Sequence, residues 1–455
     1  MMVWRSNMLL ALVPIFLLLT NCAVTKDRLV SPPLKGVSPQ MENCRYWINK
    51  VTAPQRVLLT PQEIDFRNRL LIERKDLYMN DLHNFPDFLS REQIEEMLEV
   101  CKNTLQSSFY THLNHPIDEQ KRGEILSCLN LDNIPSIKKV QWTLTLRECN
   151  IRALPTNEIA MEETNNYQFN RFQVTKINPG EALAVIHSSP HGGWYFVASY
   201  FIKGWIESQD IALTNDKELV MDFCKAIPFV IYTGNYGYLY YDKELTRFAL
   251  KVRMGTRFPL IEEGKGYFCV RMPFKSKEGH LSFTEGYLAK DSCINIGYLS
   301  FTQENIAKLA FELKGEEYGW GGMFEGRDCS RFIFDIFKCM DVLLPRNSTS
   351  QSKAGFSSID LANLSVKQKE RVIIERGIPF ATLLSLPGHI MLYLGKEQDR
   401  AYIIHSLWAY EERVFFKDRQ RKVARVVVSD LYLGKGSKKG SLLERLSTMV
   451  FLVRR

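Results

Sequence analysis

Apolar and polar positions change rhythm several times along this chain, and the changes divide it. Arg5 precedes a short apolar run, Leu9 to Leu19, which closes on Leu19-Thr20-Asn21-Cys22. A positive start and a brief apolar stretch are the layout of an export signal, too short for a comfortable membrane span. Residues 23–40 hold Ser31-Pro32-Pro33, Gly36 and Ser38-Pro39, the composition of a linker. Over 41–150 the pattern is mainly helical. Ser90 and Gln93 predict a capping box ahead of Ile94, Met97 and Leu98 at helical spacing. From 151 the texture turns to short strands: Ala182 to Ile186, Trp194 to Val197 and Gly204 to Ile206, the first two separated by Pro190-His191-Gly192-Gly193. It continues over 216–295 with Tyr236 to Tyr240, Gly255 to Leu260 and Gly286 to Leu288. Beyond 296, helices are predicted at Gln303 to Leu313 and Cys329 to Met340. Strands are predicted at 388–395, 401–407 and Val423 to Val428. Helices followed by strands indicate an α+β domain with an antiparallel sheet.

Length and composition agree with this division. A chain of 455 residues, 45% hydrophobic and 24% charged, has material for two to four globular domains. The net charge of +8 is modest. It suits an anionic polymer or lipid surface, or simply a soluble basic exterior. The ten cysteines are scattered without a Cys-x-x-Cys pair, so neither a dense disulfide framework nor a zinc site is expected. His83, His112 and His115 read as structural or solvated residues.

One cysteine differs from the rest in its surroundings. Tyr318-Gly319-Trp320-Gly321-Gly322 leads to Asp328-Cys329-Ser330, and behind Cys329 the apolar residues Phe332, Ile333, Ile336, Phe337 and Met340 recur at helical spacing. Cys329 therefore opens a buried helix. Unsatisfied N–H groups there are expected to lower the thiol pKa and favour the nucleophilic thiolate. A base is available in the strand Gly388-His389-Ile390-Met391-Leu392-Tyr393-Leu394-Gly395. Ile390, Leu392 and Leu394 share one face, and His389 lies on the other. The returning strand ends at His405. A hairpin turn centred on 397 puts 389 opposite 405, and one centred on 398 makes them diagonal neighbours. Both place the two imidazoles on one face, where one can orient the other.

On Tyr318, Trp320-Gly321-Gly322, Asp328-Cys329-Ser330, Leu344-Pro345-Arg346-Asn347-Ser348, Gln351, Gly388-His389 and His405, the region from 303 to about 410 resembles the NlpC family of peptidoglycan peptidases. The segments 151–215 and 216–295 resemble bacterial SH3-like barrels. Phe172-Gln173, Pro179-Gly180-Glu181, Trp194 to Val197 and Gly204-Trp205-Ile206 carry the first likeness. The implied chain is multidomain: signal peptide 1–22, linker 23–40, helical N-terminal segment 41–150, two SH3-like β-barrels, and a C-terminal α+β papain-like domain over 296–455.

The resemblance implies a cysteine peptidase that hydrolyses the γ-D-glutamyl–diamino acid amide of wall stem peptides, preferring a free N-terminal L-alanine. Cys329 is the implied nucleophile, His389 the base and His405 its orienting partner. Tyr318 and the backbone of Cys329 would stabilise the oxyanion. Asp328, Ser330 and Ser348, with Glu181 and Tyr200 from the first barrel, would contact the substrate amine. Arg331, where many members carry a small residue, is expected to narrow the groove. No metal or cofactor is required, and nucleic acid is not an expected partner.

Leu19 to Cys22 resembles a bacterial lipobox, which implies lipidation at Cys22 and a periplasmic protein tethered to a membrane, on the outer-membrane side because Ala23 is not the retaining aspartate. The alternatives are a general hydrolase of intact wall, a non-catalytic wall-binding lipoprotein, and acyl transfer to or from a lipid.

Overall fold

The computed structural model describes residues 29–454, so the export signal and Cys22 lie outside the described residues. The N-terminal segment alternates helices, Pro61–Ile72, Arg91–Thr104 and Glu119–Ser127, with three short strands. Ser90 caps Arg91–Thr104 and accepts from the Gln93 amide, while the Gln93 side chain accepts from the Ser90 amide at 2.9 Å. Residues 29–40 do not behave as a free linker. Leu34 and Val37 are buried, the Val30 N–H donates to the Lys422 carbonyl at 2.8 Å, and the Tyr402 hydroxyl donates to the Gly36 carbonyl at 2.9 Å. The apolar residues among the prolines draw this segment onto the C-terminal domain.

Two seven-stranded antiparallel sheets follow. The first begins at Gln141–Thr145, ten residues before the expected boundary. Trp142 and Leu144 point into its core, and the strand pairs with Ala182–Ser188. The second runs from Phe229–Tyr232 to Ile294–Ile296 and is preceded by a helix, Lys217–Lys225, within the segment expected to be all strand. The C-terminal domain has a six-stranded antiparallel sheet ordered Ser357–Asp360, Thr448–Phe451, Thr382–Leu386, His389–Glu397, Arg400–Val414, Lys417–Asp430. The helices Gln303–Glu312 and Cys329–Lys338 pack in the same core, which also takes in Trp47, Ile64 and Leu71 of the N-terminal segment. Every cysteine among the described residues is free.

Buried ion pairs fix the helix Cys329–Lys338 within this assembly. Asp335, fully buried, accepts from Arg327 Nε at 2.7 Å and Arg331 Nε at 2.6 Å. Arg327 also pairs with Glu316 and donates to Asn235 Oδ1 at 2.6 Å. Arg331 Nη2 reaches Asn178 Oδ1 of the first β-rich unit at 2.7 Å, and its Nη1 donates to the Lys176 carbonyl. Arg331 therefore binds the nucleophile helix to the first sheet and does not narrow the groove; its fork is consumed by backbone and side-chain acceptors on the far side. Removing one member of such a set leaves uncompensated buried charge. Asp335→Ala should destabilise the protein by roughly 3–5 kcal/mol, read as a lowered denaturant midpoint. A change under about 1 kcal/mol, the scale of an exposed pair, would contradict this.

Candidate active site

The local sequence dictates how Cys329 is presented. Asp328 is the N-cap of the helix and accepts from the Arg331 amide at 2.8 Å, so Cys329 is its first residue. The loop before it turns through left-handed conformations at Gly321 (φ 56°) and Gly322 (φ 84°). A side chain at either glycine would collide with Gln173 or Lys176 of the first sheet. Gln173 Nε2 donates to the Gly321 carbonyl at 2.9 Å, and the Gly321 amide donates to Asp328 Oδ2 at 3.1 Å. Arg346 grips Asp328 with two bonds, 2.7 and 3.1 Å, and donates to Ser330 Oγ at 2.8 Å and Thr175 Oγ1 at 2.6 Å. Gln351 completes the seat by donating to the Ser330 and Pro345 carbonyls, each at 2.9 Å.

The backbone amide of Ile390, the residue after His389, lies close enough to the Cys329 sulfur to favour its thiolate. His389 Nε2 lies 2.7 Å from His405 Nδ1, and His405 Nε2 lies 3.2 Å from Ser429 Oγ. The register explains the meeting of the two imidazoles. The turn holds two residues, between Glu397 and Arg400, and the first rungs are Glu397↔Arg400 and Lys396↔Ala401. Continued regularly, that register would put 405 opposite 392, on the face away from 389. A bulge between Tyr393 and Gly395 inserts one residue, after which Leu392 pairs with Ile404. Position 405 then falls opposite 391 and diagonal to 389, on one face.

Hydrogen-bond bookkeeping assigns the tautomers. If His389 Nδ1 is to take a proton from the thiol, its Nε2 must carry a hydrogen and donate to His405 Nδ1. His405 is then protonated at Nε2 and donates to the Ser429 hydroxyl oxygen. Ser429 is thus a fourth member of the chain. No local pattern marks it, since its place follows from the pairing Ile403↔Ser429 on the next strand.

Electrostatics overturn one expectation. Burial, with the Asp328 carboxylate adding, pushes the Cys329 thiol up to about 12, against the lowering expected at a helix start. Burial, with Arg445 nearby, lowers His389 to about 4, and burial beside His389 holds His405 well below its usual value. Burial therefore favours the neutral forms of the thiol and of both imidazoles. Burial alone would raise Asp328, but Arg346 and the N–H donors hold its carboxyl below the usual range. Burial and the neighbouring Cys329 and Asp328 raise Tyr318, whose hydroxyl stays protonated and able to donate.

The structure gathers Tyr318, Asp328, Cys329, Ser330, His389 and His405, and leaves others out. Glu181 pairs with Lys338, and Tyr200 stacks on Phe334; both line a cavity of about 220 Å³ with Tyr298 and Asp341. Lys338 ends the helix that Cys329 begins, roughly 14 Å away at 1.5 Å per residue, so these two residues face the wrong end to contact the reacting bond. Ser348 opens the short helix Ser348–Gln351, and its side chain makes no hydrogen bond among the described residues. The first β-rich unit instead brings Phe169 and Arg171 to the site. The Phe169 ring packs on Tyr318, Trp320 and Trp408 at 6.3, 5.6 and 5.3 Å, and Arg171 lies over Trp320 at 4.7 Å. The cleft is lined by Tyr318, Pro387, His389, Trp408, Glu411 and Arg445.

Residues 315–412 match the NlpC/P60 family, and residues 160–207 match an SH3 domain of the SH3b1 type. The C-terminal domain is an NlpC/P60 domain. A γ-D-glutamyl-L-lysine dipeptidyl-peptidase of Bacillus subtilis (strain 168) is 32% identical over 101 residues, which cover 22% of this chain and 31% of that protein. The chain thus matches less than a third of that relative's length. An NlpC/P60 endopeptidase from Photobacterium damselae subsp. piscicida superposes with a TM-score of 0.71 at 18% identity, covering 89% of this chain and 96% of that one. At that identity the likeness is one of fold.

The neutral resting state of the NlpC/P60 site has a consequence for pH. A protonated His389 cannot accept the thiol proton, so the acid limb of kcat/KM should fall near pH 4 and not near the ordinary 6.5. A limb at pH 6–7, with circular dichroism showing an intact fold, would contradict the burial argument.

Proposed function

We propose that this chain is a cysteine endopeptidase that cuts the γ-D-glutamyl–diamino acid amide of wall stem peptides. The observation that carries the reading is Cys329 at its helix start beside the strand that carries His389, whose Nε2 is engaged by His405 at 2.7 Å. Nδ1 is then the nitrogen left for the thiol. As substrate enters, the thiol proton passes to His389 and the sulfur attacks the glutamyl carbonyl. The Cys329 N–H, in the first turn where no intrahelical acceptor exists, and the Tyr318 hydroxyl receive the oxyanion. His389 returns the proton to the leaving amine, then takes one from the water that hydrolyses the thioester.

Specificity is assigned differently from the expectation. Selection of a free N-terminal amine needs a carboxylate with an unengaged oxygen. Asp328 is consumed by Arg346, Ser330 and backbone donors, and Glu181 by Lys338. Glu411 and Arg445 both line the cleft. A small zwitterionic peptide, with an ammonium at L-alanine and the α-carboxylate that a γ-linked glutamate leaves free, complements that pair. Phe169 packs behind Tyr318 and Trp408 of the cleft lining and bounds the cleft on the SH3b side, which favours short released peptides over intact sacculus.

Defined muropeptides incubated with the protein and read by mass should yield L-Ala-D-Glu and a peptide beginning with the diamino acid, and Cys329→Ala should yield neither. Cleavage elsewhere, or turnover by folded Cys329→Ala, would overturn the reading. In the same assay Arg445→Gln should raise KM about 10- to 100-fold, the value of one charge-assisted contact. An unchanged KM would remove Arg445 from the substrate site. The apolar run ending at Cys22 supports export and a lipid anchor on a membrane facing the wall. A mature N-terminus elsewhere, without lipid, would refute the anchor.

A further inference from the structure

Beyond Leu407 the strand Arg400–Val414 pairs only with Lys417–Asp430, so residues 409–422 form a two-stranded ribbon. Its last rung is Val414↔Lys417, and the turn is Phe415-Phe416. A two-residue hairpin turn asks for residues that tolerate left-handed backbone, such as Asn-Gly. Phe415 instead sits at φ 55°, and the two residues are 91% and 95% exposed. The turn is thus occupied by residues that neither its conformation nor the core selects.

Cations surround the tip. Arg413 pairs with Asp418, and Arg421 with Glu412. Lys417 and Arg419 are exposed and make no ion pair among the described residues. The Lys438 amide donates to Asp418 at 2.7 Å, which brings the exposed Lys438 beside the ribbon. The N-terminal end of the described chain lies on the same ribbon, with Leu29 bridged to Lys422. Cys22 is seven residues upstream of Leu29, a reach of at most about 25 Å. From Lys422 to the tip is about 20 Å along the strand.

We propose that the Phe415-Phe416 tip inserts into the interfacial layer of an anionic lipid membrane, with Lys417, Arg419 and Lys438 at the headgroups. Aromatic rings with flanking cations suit that layer. A convex two-residue tip is too small for the contact area of a stable protein interface. The ribbon's base carries Tyr410 and Glu411 of the active-site cleft, so docking sets the cleft at a fixed height above the bilayer.

The test uses the chain from residue 23, which retains every described residue, and vesicles of phosphatidylcholine with or without phosphatidylglycerol. It should sediment with the anionic vesicles and less with pure phosphatidylcholine, and added salt should weaken binding. Phe415→Ser/Phe416→Ser should weaken binding at least tenfold, and Lys417→Glu/Arg419→Glu should remove the preference for phosphatidylglycerol. Both variants should hydrolyse soluble peptide as the parent does. Equal sedimentation of the Phe415→Ser/Phe416→Ser variant would overturn the proposal. So would a parent that ignores vesicles, or one that instead forms dimers or binds isolated sacculi in a manner the double substitution abolishes.

Discussion

Everything at the active site depends on buried guanidinium–carboxylate pairs around one helix. Arg327 and Arg331 share Asp335, and Arg346 holds Asp328, all nearly inaccessible to solvent. Such charges are costly to bury, and they stay buried only because each finds its full set of partners. The partners come from separate parts of the chain. Thr175, Lys176 and Asn178 belong to the first β-rich unit and Asn235 to the second. The helix that carries the nucleophile cannot be seated without both units in place. The SH3b unit therefore helps to seat the Cys329 helix.

The second constraint is the pairing of the strands behind the helix. Two histidines sixteen residues apart meet because one bulge, ahead of Gly395 at φ 132°, shifts the register by one residue. With the register settled, His405 is wholly enclosed and can bond only to His389 and Ser429. Enclosure also explains the electrostatics. The same burial that encloses the two rings disfavours charge on the thiol and on both imidazoles.

Legibility in the sequence followed the range of the interaction involved. Cys329 at a helix start was readable because a capping aspartate and an apolar stripe are local signals. His389 and His405 were readable because strand alternation is equally local. The bulge was not, and the common face of the two histidines was inferred from odd-length turns when it comes from a two-residue turn plus an extra residue. Phe169, Arg171 and Ser429 were missed because their roles exist only once sheets dock. Glu181 and Tyr200 were misplaced for the same reason: a barrel residue can be assigned to the correct unit and still face the opposite end of the helix. The strand Gln141–Thr145 was absorbed into the helical segment because five residues of alternation make a weak signal beside longer helices.

The central claim is that Cys329 forms a covalent bond with the glutamyl carbonyl. Rapid acid quenching during turnover of L-Ala-γ-D-Glu-diamino acid peptide, followed by intact-mass analysis and peptide mapping, tests it most directly. The account predicts a transient L-Ala-D-Glu thioester on Cys329, absent from Cys329→Ala. An adduct on another cysteine, or turnover with no covalent species when hydrolysis of the thioester is made rate-limiting, would contradict it.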